Sequence, residues 1–96
     1  MFVIDLQYRV PPEQLDARMG EHVKFLNVYY KKNVFVASGR KVPRTGGIIL
    51  ALAGSREEVD AIMREDPFIH QNLATYTVTE FLTSQAHPEI KKFLTR

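Results

Sequence analysis

The chain has 96 residues, 45% of them hydrophobic and 25% charged, which suits one small core over residues 1–96 and excludes disordered and fibrous classes. Thirteen basic residues are spread among 11 acidic ones for a net charge of +2, so no nucleic acid is implied as partner. There is no cysteine, which removes disulfides, thiolate zinc sites and thiol catalysis.

Residues 2–10 alternate, with Phe2, Ile4, Leu6 and Tyr8 on one face and Val3, Asp5, Gln7 and Arg9 on the other, the period of a half-exposed strand. The same opening residues lack the charged and long apolar regions of a signal peptide, and no run spans a bilayer, so no membrane partner and a cytoplasmic location are expected. After Pro11-Pro12 the period becomes helical from Glu13 to about Lys32, with Leu15, Met19, His22, Leu26 and Tyr29 or Tyr30 on one stripe. Asn33 is the expected terminator.

Val34 to Ser38 reads as a second strand closed by Gly39. A loop from Arg40 to Gly47, with Gly46-Gly47 as a turn, leads into Ile48–Ala53, an apolar run suited to a strand covered on both faces. Ser55-Arg56-Glu57-Glu58 forms a capping-box pattern in which the serine oxygen accepts from the Glu58 amide and the Glu58 carboxylate reaches back to the serine amide. Val59, Ile62 and Met63 make the buried stripe of the helix that follows, and the same face reaches Asp66, where Pro67 turns the chain out. Thr75 to Leu82 alternates as a last strand, and Pro88 opens a short tail helix carrying Ile90, Phe93 and Leu94.

The order βαββαβ is that of an α+β, ferredoxin-like antiparallel sheet with both helices on one face. The other face needs a cover, and a second copy of the chain is the simplest one, which predicts a homodimer through the sheet face. The core is expected over 1–83, with 84–96 as a tail that docks.

Two ionisable side chains interrupt apolar stripes. His22 taken alone is a histidine satisfying a backbone carbonyl, and Asp66 taken alone is turn chemistry or a local cap. Together they sit on helices that lie side by side, so Asp66 can accept from one ring nitrogen of His22, fix its tautomer and leave the other nitrogen as a base. Ser38 can donate to a developing oxyanion, or is a plain strand-end serine. Arg40, Lys41 and Arg44 cluster in the loop that follows and can hold a carboxylate or phosphate, though such clusters are commonly solvated. Gly46-Gly47 is no phosphate-binding fingerprint, and His70 and His87 lack spacing partners, so neither a cofactor nor a metal is expected. The aliphatic third strand carries no RNA-stacking signature.

His22 followed by Leu26, Ala37-Ser38-Gly39, Gly46-Gly47 with Ile48, and above all Asp66-Pro67-Phe68 are the features by which the chain resembles YciI-like (YCII-related domain) proteins. The resemblance covers all but the tail beyond about Ser84. It implies that ferredoxin-like sheets pair into a dimeric α/β barrel, that His22 and Asp66 form a catalytic dyad, and that lyase chemistry on small ring compounds is within reach. Arg40 departs from the pattern, standing where the family often has proline, which makes this rim more cationic.

The function expected is therefore a small homodimeric enzyme of lyase or isomerase type. His22, oriented by Asp66, moves a proton on a small anionic organic molecule, Ser38 stabilises charge, and Arg40 and Phe68 contact the substrate. The alternatives are a non-catalytic module that binds a small ligand in the same pocket, or one that acts by dimerisation alone.

Overall fold

The computed structural model describes residues 1–95. Its elements are β1 (Phe2–Tyr8), α1 (Pro12–Asp16), α2 (Met19–Lys31), β2 (Phe35–Arg40), β3 (Gly46–Ala51), α3 (Arg56–Met63), α4 (Pro67–His70), β4 (Ala74–Glu80) and α5 (Pro88–Leu94). The strands form one antiparallel sheet in the order β2-β3-β1-β4, so the two βαβ halves are split in the ferredoxin-like manner. In register, Ile4 stands opposite Ile49 on one side and Val78 on the other.

One sheet face is the core. Phe2, Ile4 and Leu6 of β1 are buried against Phe25 and Tyr29 of α2 and Val59, Ile62 and Met63 of α3, as alternation on the strand and three- and four-residue spacing on the helices require. On the opposite face Val3, Ile48 and Leu50 are only half-buried. The expected cover on both faces of β3 is therefore not supplied within one chain. A smaller cluster of Leu15, Phe68 and Ala74 lies under Tyr8 and Met19.

The first helical segment is two helices rather than one. Arg18 leaves helical dihedrals (φ −113°, ψ 5°) between α1 and α2. Ten residues of unbroken helix would point Leu15 about 80° away from Phe25, whereas the break lets α1 aim Leu15 into the smaller cluster. The buried stripe of α2 is also displaced from the expected one. Phe25 and Tyr29 enter the core, while Met19, His22 and Leu26 lie half-buried beside it. Asn33 ends α2 in the left-handed region at φ 58°, with the Asn33 and Val34 amides donating back to the carbonyls of Tyr30 and Tyr29.

At α3 the Ser55 oxygen accepts from the Glu58 amide at 3.1 Å, but the Glu58 carboxylate accepts from the Gly54 amide at 2.7 Å and not from that of Ser55. Gly46-Gly47 is not a turn but the start of β3, opposite Gln7 and Leu6. A Cβ on Gly46 would lie 1.8 Å from the Leu6 carbonyl oxygen, so only glycine permits this pairing. The tail helix α5 is present and carries no buried residue. Among the described residues no helix is long and apolar enough to cross a membrane.

Candidate functional site

The site grows from the contact between α2 and the Asp66-Pro67-Phe68 corner. Asp66 has extended dihedrals (φ −71°, ψ 122°) and is the N-cap of α4, with Pro67 at the first helical position, the local arrangement that an Asp-Pro pair favours. Its Oδ1 accepts from the Phe68 amide at 3.0 Å. The same oxygen is 2.8 Å from His22 Nδ1. The cap reading and the histidine-partner reading of Asp66 are thus satisfied by one atom. The side chain is fully buried, and Oδ2 has no hydrogen-bond partner among the described residues.

Two further contacts hold the imidazole. Phe68, 2% exposed, stacks on it with centroids 4.0 Å apart and planes 2° from parallel, and Tyr8 meets Phe68 edge-on at 6.3 Å. Nδ1 is engaged by the carboxylate, so Nε2 is the ring nitrogen left without a protein partner among the described residues. The ring borders a cleft of about 260 Å³ whose walls include Leu6, Tyr8, Leu26 and Ile49. Mostly apolar walls with a few convergent polar groups are the usual make-up of a small-molecule site.

Ser38 and Arg40 border the same cleft, and they do so because β2 is irregular. Phe35 pairs with Ala51, but the next pair is Ala37 with Leu50, leaving Val36 as an extra residue. Strict alternation from Phe35 would direct Ala37 and Gly39 toward the helices. The bulge reverses the faces, so Ser38 lies beside Ile49 and Arg40 beside Gly47. Ser38 Oγ is 2.6 Å from the Tyr30 hydroxyl.

The three cations of the loop part company. Lys41 pairs with Asp5 at 2.5 Å, and Arg44 pairs with Asp16 at 2.6 Å. Arg40, by contrast, makes no ion pair or side-chain hydrogen bond among the described residues. The Arg44 guanidinium holds the Asp16 carboxyl below the usual carboxylate range, and Arg40 adds a smaller pull. Arg44 is in turn held toward its charged form, first by Asp16 and also by the Tyr8 hydroxyl.

His22, Ser38, Arg40 and Phe68 thus line one cleft, and Asp66 lies behind His22 rather than in the wall. The sequence puts Tyr8 on one face of the first strand and Tyr30 within the first helical stripe, but assigns neither to the site. Tyr8 continues the inward face of β1, a signal that could have placed it, whereas the Tyr30 contact depends on the bulge. Among the described residues no cluster of three or more histidine, aspartate or glutamate side chains could hold a metal ion.

No curated protein matches the chain. Among solved structures, it is similar to 5-chloro-2-hydroxyhydroquinone dehydrochlorinase (TftG) from Burkholderia phenoliruptrix AC1100, in complex with 2,5-dihydroxybenzoquinone, at a TM-score of 0.74 and 20% identity over 86% of this chain and 94% of that one. At that identity the likeness establishes the shared fold. Residues 1–82, from β1 through β4, match the YCII-related domain, and the chain belongs to that family.

Proposed function

We propose that the protein is a small enzyme of lyase or isomerase type that moves a proton on a small anionic ring compound bound in the cleft. The observation that carries this reading is the His22 Nδ1 to Asp66 Oδ1 hydrogen bond of 2.8 Å on a ring that borders the cleft, with Nε2 left without a partner among the described residues. Asp66 fixes the Nδ1–H tautomer, so Nε2 carries the lone pair that accepts a proton, and the buried carboxylate stabilises the imidazolium that results. The electron pair of the broken C–H bond moves onto an adjacent carbonyl oxygen of the substrate. Ser38 donates to that oxygen, and Arg40 holds the anionic substituent.

The cleft is of a size for a single ring, and the dehydrochlorinase of like fold was solved with a dihydroxybenzoquinone. Homodimerisation through Val3, Ile48 and Leu50 would cover the half-buried sheet face and would form the dimeric α/β barrel. A cytoplasmic location accords with the absence of cysteine. The test is a panel of single-ring phenols and hydroxyquinones in deuterated water, followed by NMR for exchange or elimination at ring carbons. Wild-type protein should exchange or convert at least one member, and His22→Gln should not. Binding of panel members with no exchange by either protein would replace the enzyme with a binding module.

A further inference from the structure

Ser38 is not an isolated hydroxyl. Its Oγ lies 2.6 Å from the phenolic oxygen of Tyr30, and the Tyr30 ring is set edge-on against the buried Phe35, with centroids 6.0 Å apart and planes at 82°. Tyr30 therefore presents its oxygen from a fixed ring, whereas Ser38 is free to rotate its proton. Two hydroxyls at this separation share one hydrogen between them. A phenol is the better donor and an aliphatic hydroxyl the better acceptor, so the shared hydrogen is the phenolic one. The serine proton is then free for another acceptor, and Ser38, exposed at the rim, borders the cleft.

We propose that Tyr30 is a positioning residue that sets Ser38 as a hydrogen-bond donor into the cleft, so that this end of the site selects ligands bearing an acceptor oxygen, carbonyl or phenolate. The proposal rests on the reading of the cleft as a small-molecule site. Tyr30 and His22 are eight residues apart on α2, which spaces them about 12 Å along the helix axis. One rigid helix thereby sets both the proton-accepting nitrogen and the orientation of the oxyanion donor. Donation into Ser38 Oγ also polarises the outgoing O–H, strengthening the bond it makes.

The probe is 4-nitrophenolate, whose absorption band shifts to shorter wavelength when its oxygen accepts a hydrogen bond. Wild-type protein, Tyr30→Phe, Ser38→Ala, the double variant and His22→Gln are titrated with it at a pH where it is ionised. Tyr30→Phe keeps the ring against Phe35 and should weaken binding by about 3- to 10-fold, the worth of one net hydrogen bond. It should also return part of the spectral shift, which loss of packing alone would not do. Ser38→Ala should do at least as much, and the double variant no more than Ser38→Ala. Losses that add in the double variant, or a Tyr30→Phe protein with unchanged binding and spectrum, would overturn the role of Tyr30. If those results came with binding abolished by His22→Gln, the reading of the cleft would stand alone. Absence of binding to the wild type would overturn both.

Discussion

Replacing Asp66 by alanine removes two hydrogen bonds made by one buried oxygen. Loss of the cap on the Phe68 amide, now 3.0 Å from Oδ1, costs about 0.5–2 kcal/mol. His22 Nδ1, on a side chain only 13% exposed, is left without its acceptor at about 1–3 kcal/mol. Removal of the unpartnered Oδ2 offsets part of this, so a net loss of about 2–3 kcal/mol is expected. That corresponds to a fall in Tm on the order of 10–20 °C for a domain of this size. Asparagine is the sharper test. Its oxygen can keep both bonds, though without the charge that strengthens them, and its amide nitrogen takes the place of an Oδ2 that already lacks a partner among the described residues. Asp66→Asn should therefore lose about 1 kcal/mol, clearly less than Asp66→Ala. The chain has no tryptophan, so urea unfolding followed by far-ultraviolet circular dichroism, at constant m, is the assay. An asparagine variant as destabilised as the alanine variant would mean that Oδ1 does not carry both bonds, and the reasoning would fail.

Two glycines of the β2-β3 hairpin should behave oppositely. Gly46→Ala places Cβ 1.8 Å from the Leu6 oxygen, and Gly39→Ala meets nothing within 4 Å; the first should cost more than about 3 kcal/mol or abolish folding and the second less than about 0.5, with equal urea midpoints refuting the register. Tyr29 and Tyr76 are pushed up to about 12, first by burial and then by hydrogen bonds to Glu65 and Asp60. Because the folded values exceed the ordinary 10.0, the folded state binds more protons between pH 10 and 12, and this stabilisation is complete below 10 and lost as the pH rises toward 12. Urea midpoints measured across that range should fall for the wild type and fall less for the Tyr29→Phe/Tyr76→Phe variant; parallel falls would refute the assignment.

The alternation of Phe2, Ile4 and Leu6 against Val3 and Asp5, the capping serine at 55 and the proline after Asp66 are local signals, and each is obeyed in the structure. Less legible is the break at Arg18, because helix periodicity continues through it and only the separate burial of Leu15 and Phe25 requires it. The same holds for Gly46-Gly47, whose composition resembles a turn until Leu6 is seen to leave no room for a Cβ. Residue type does not distinguish the three loop cations either. Asp5 and Asp16 neutralise Lys41 and Arg44, and both carboxylates lie far away in the chain.

Composition, hydrophobic period and turn chemistry determine by themselves that this chain makes strands and helices in the order of a ferredoxin-like sheet, because those preferences act over a few residues. They also expose His22 and Asp66 as polar interruptions of apolar stripes. Only the tertiary structure decided which atoms meet. The bulge at Val36 turns Ser38 and Arg40 to the side of His22, and a strand's choice of face is a property of its pairing with β3, not of its own residues. A single extra residue in one strand thus gathers the polar groups of the cleft, and no period in the sequence encodes it.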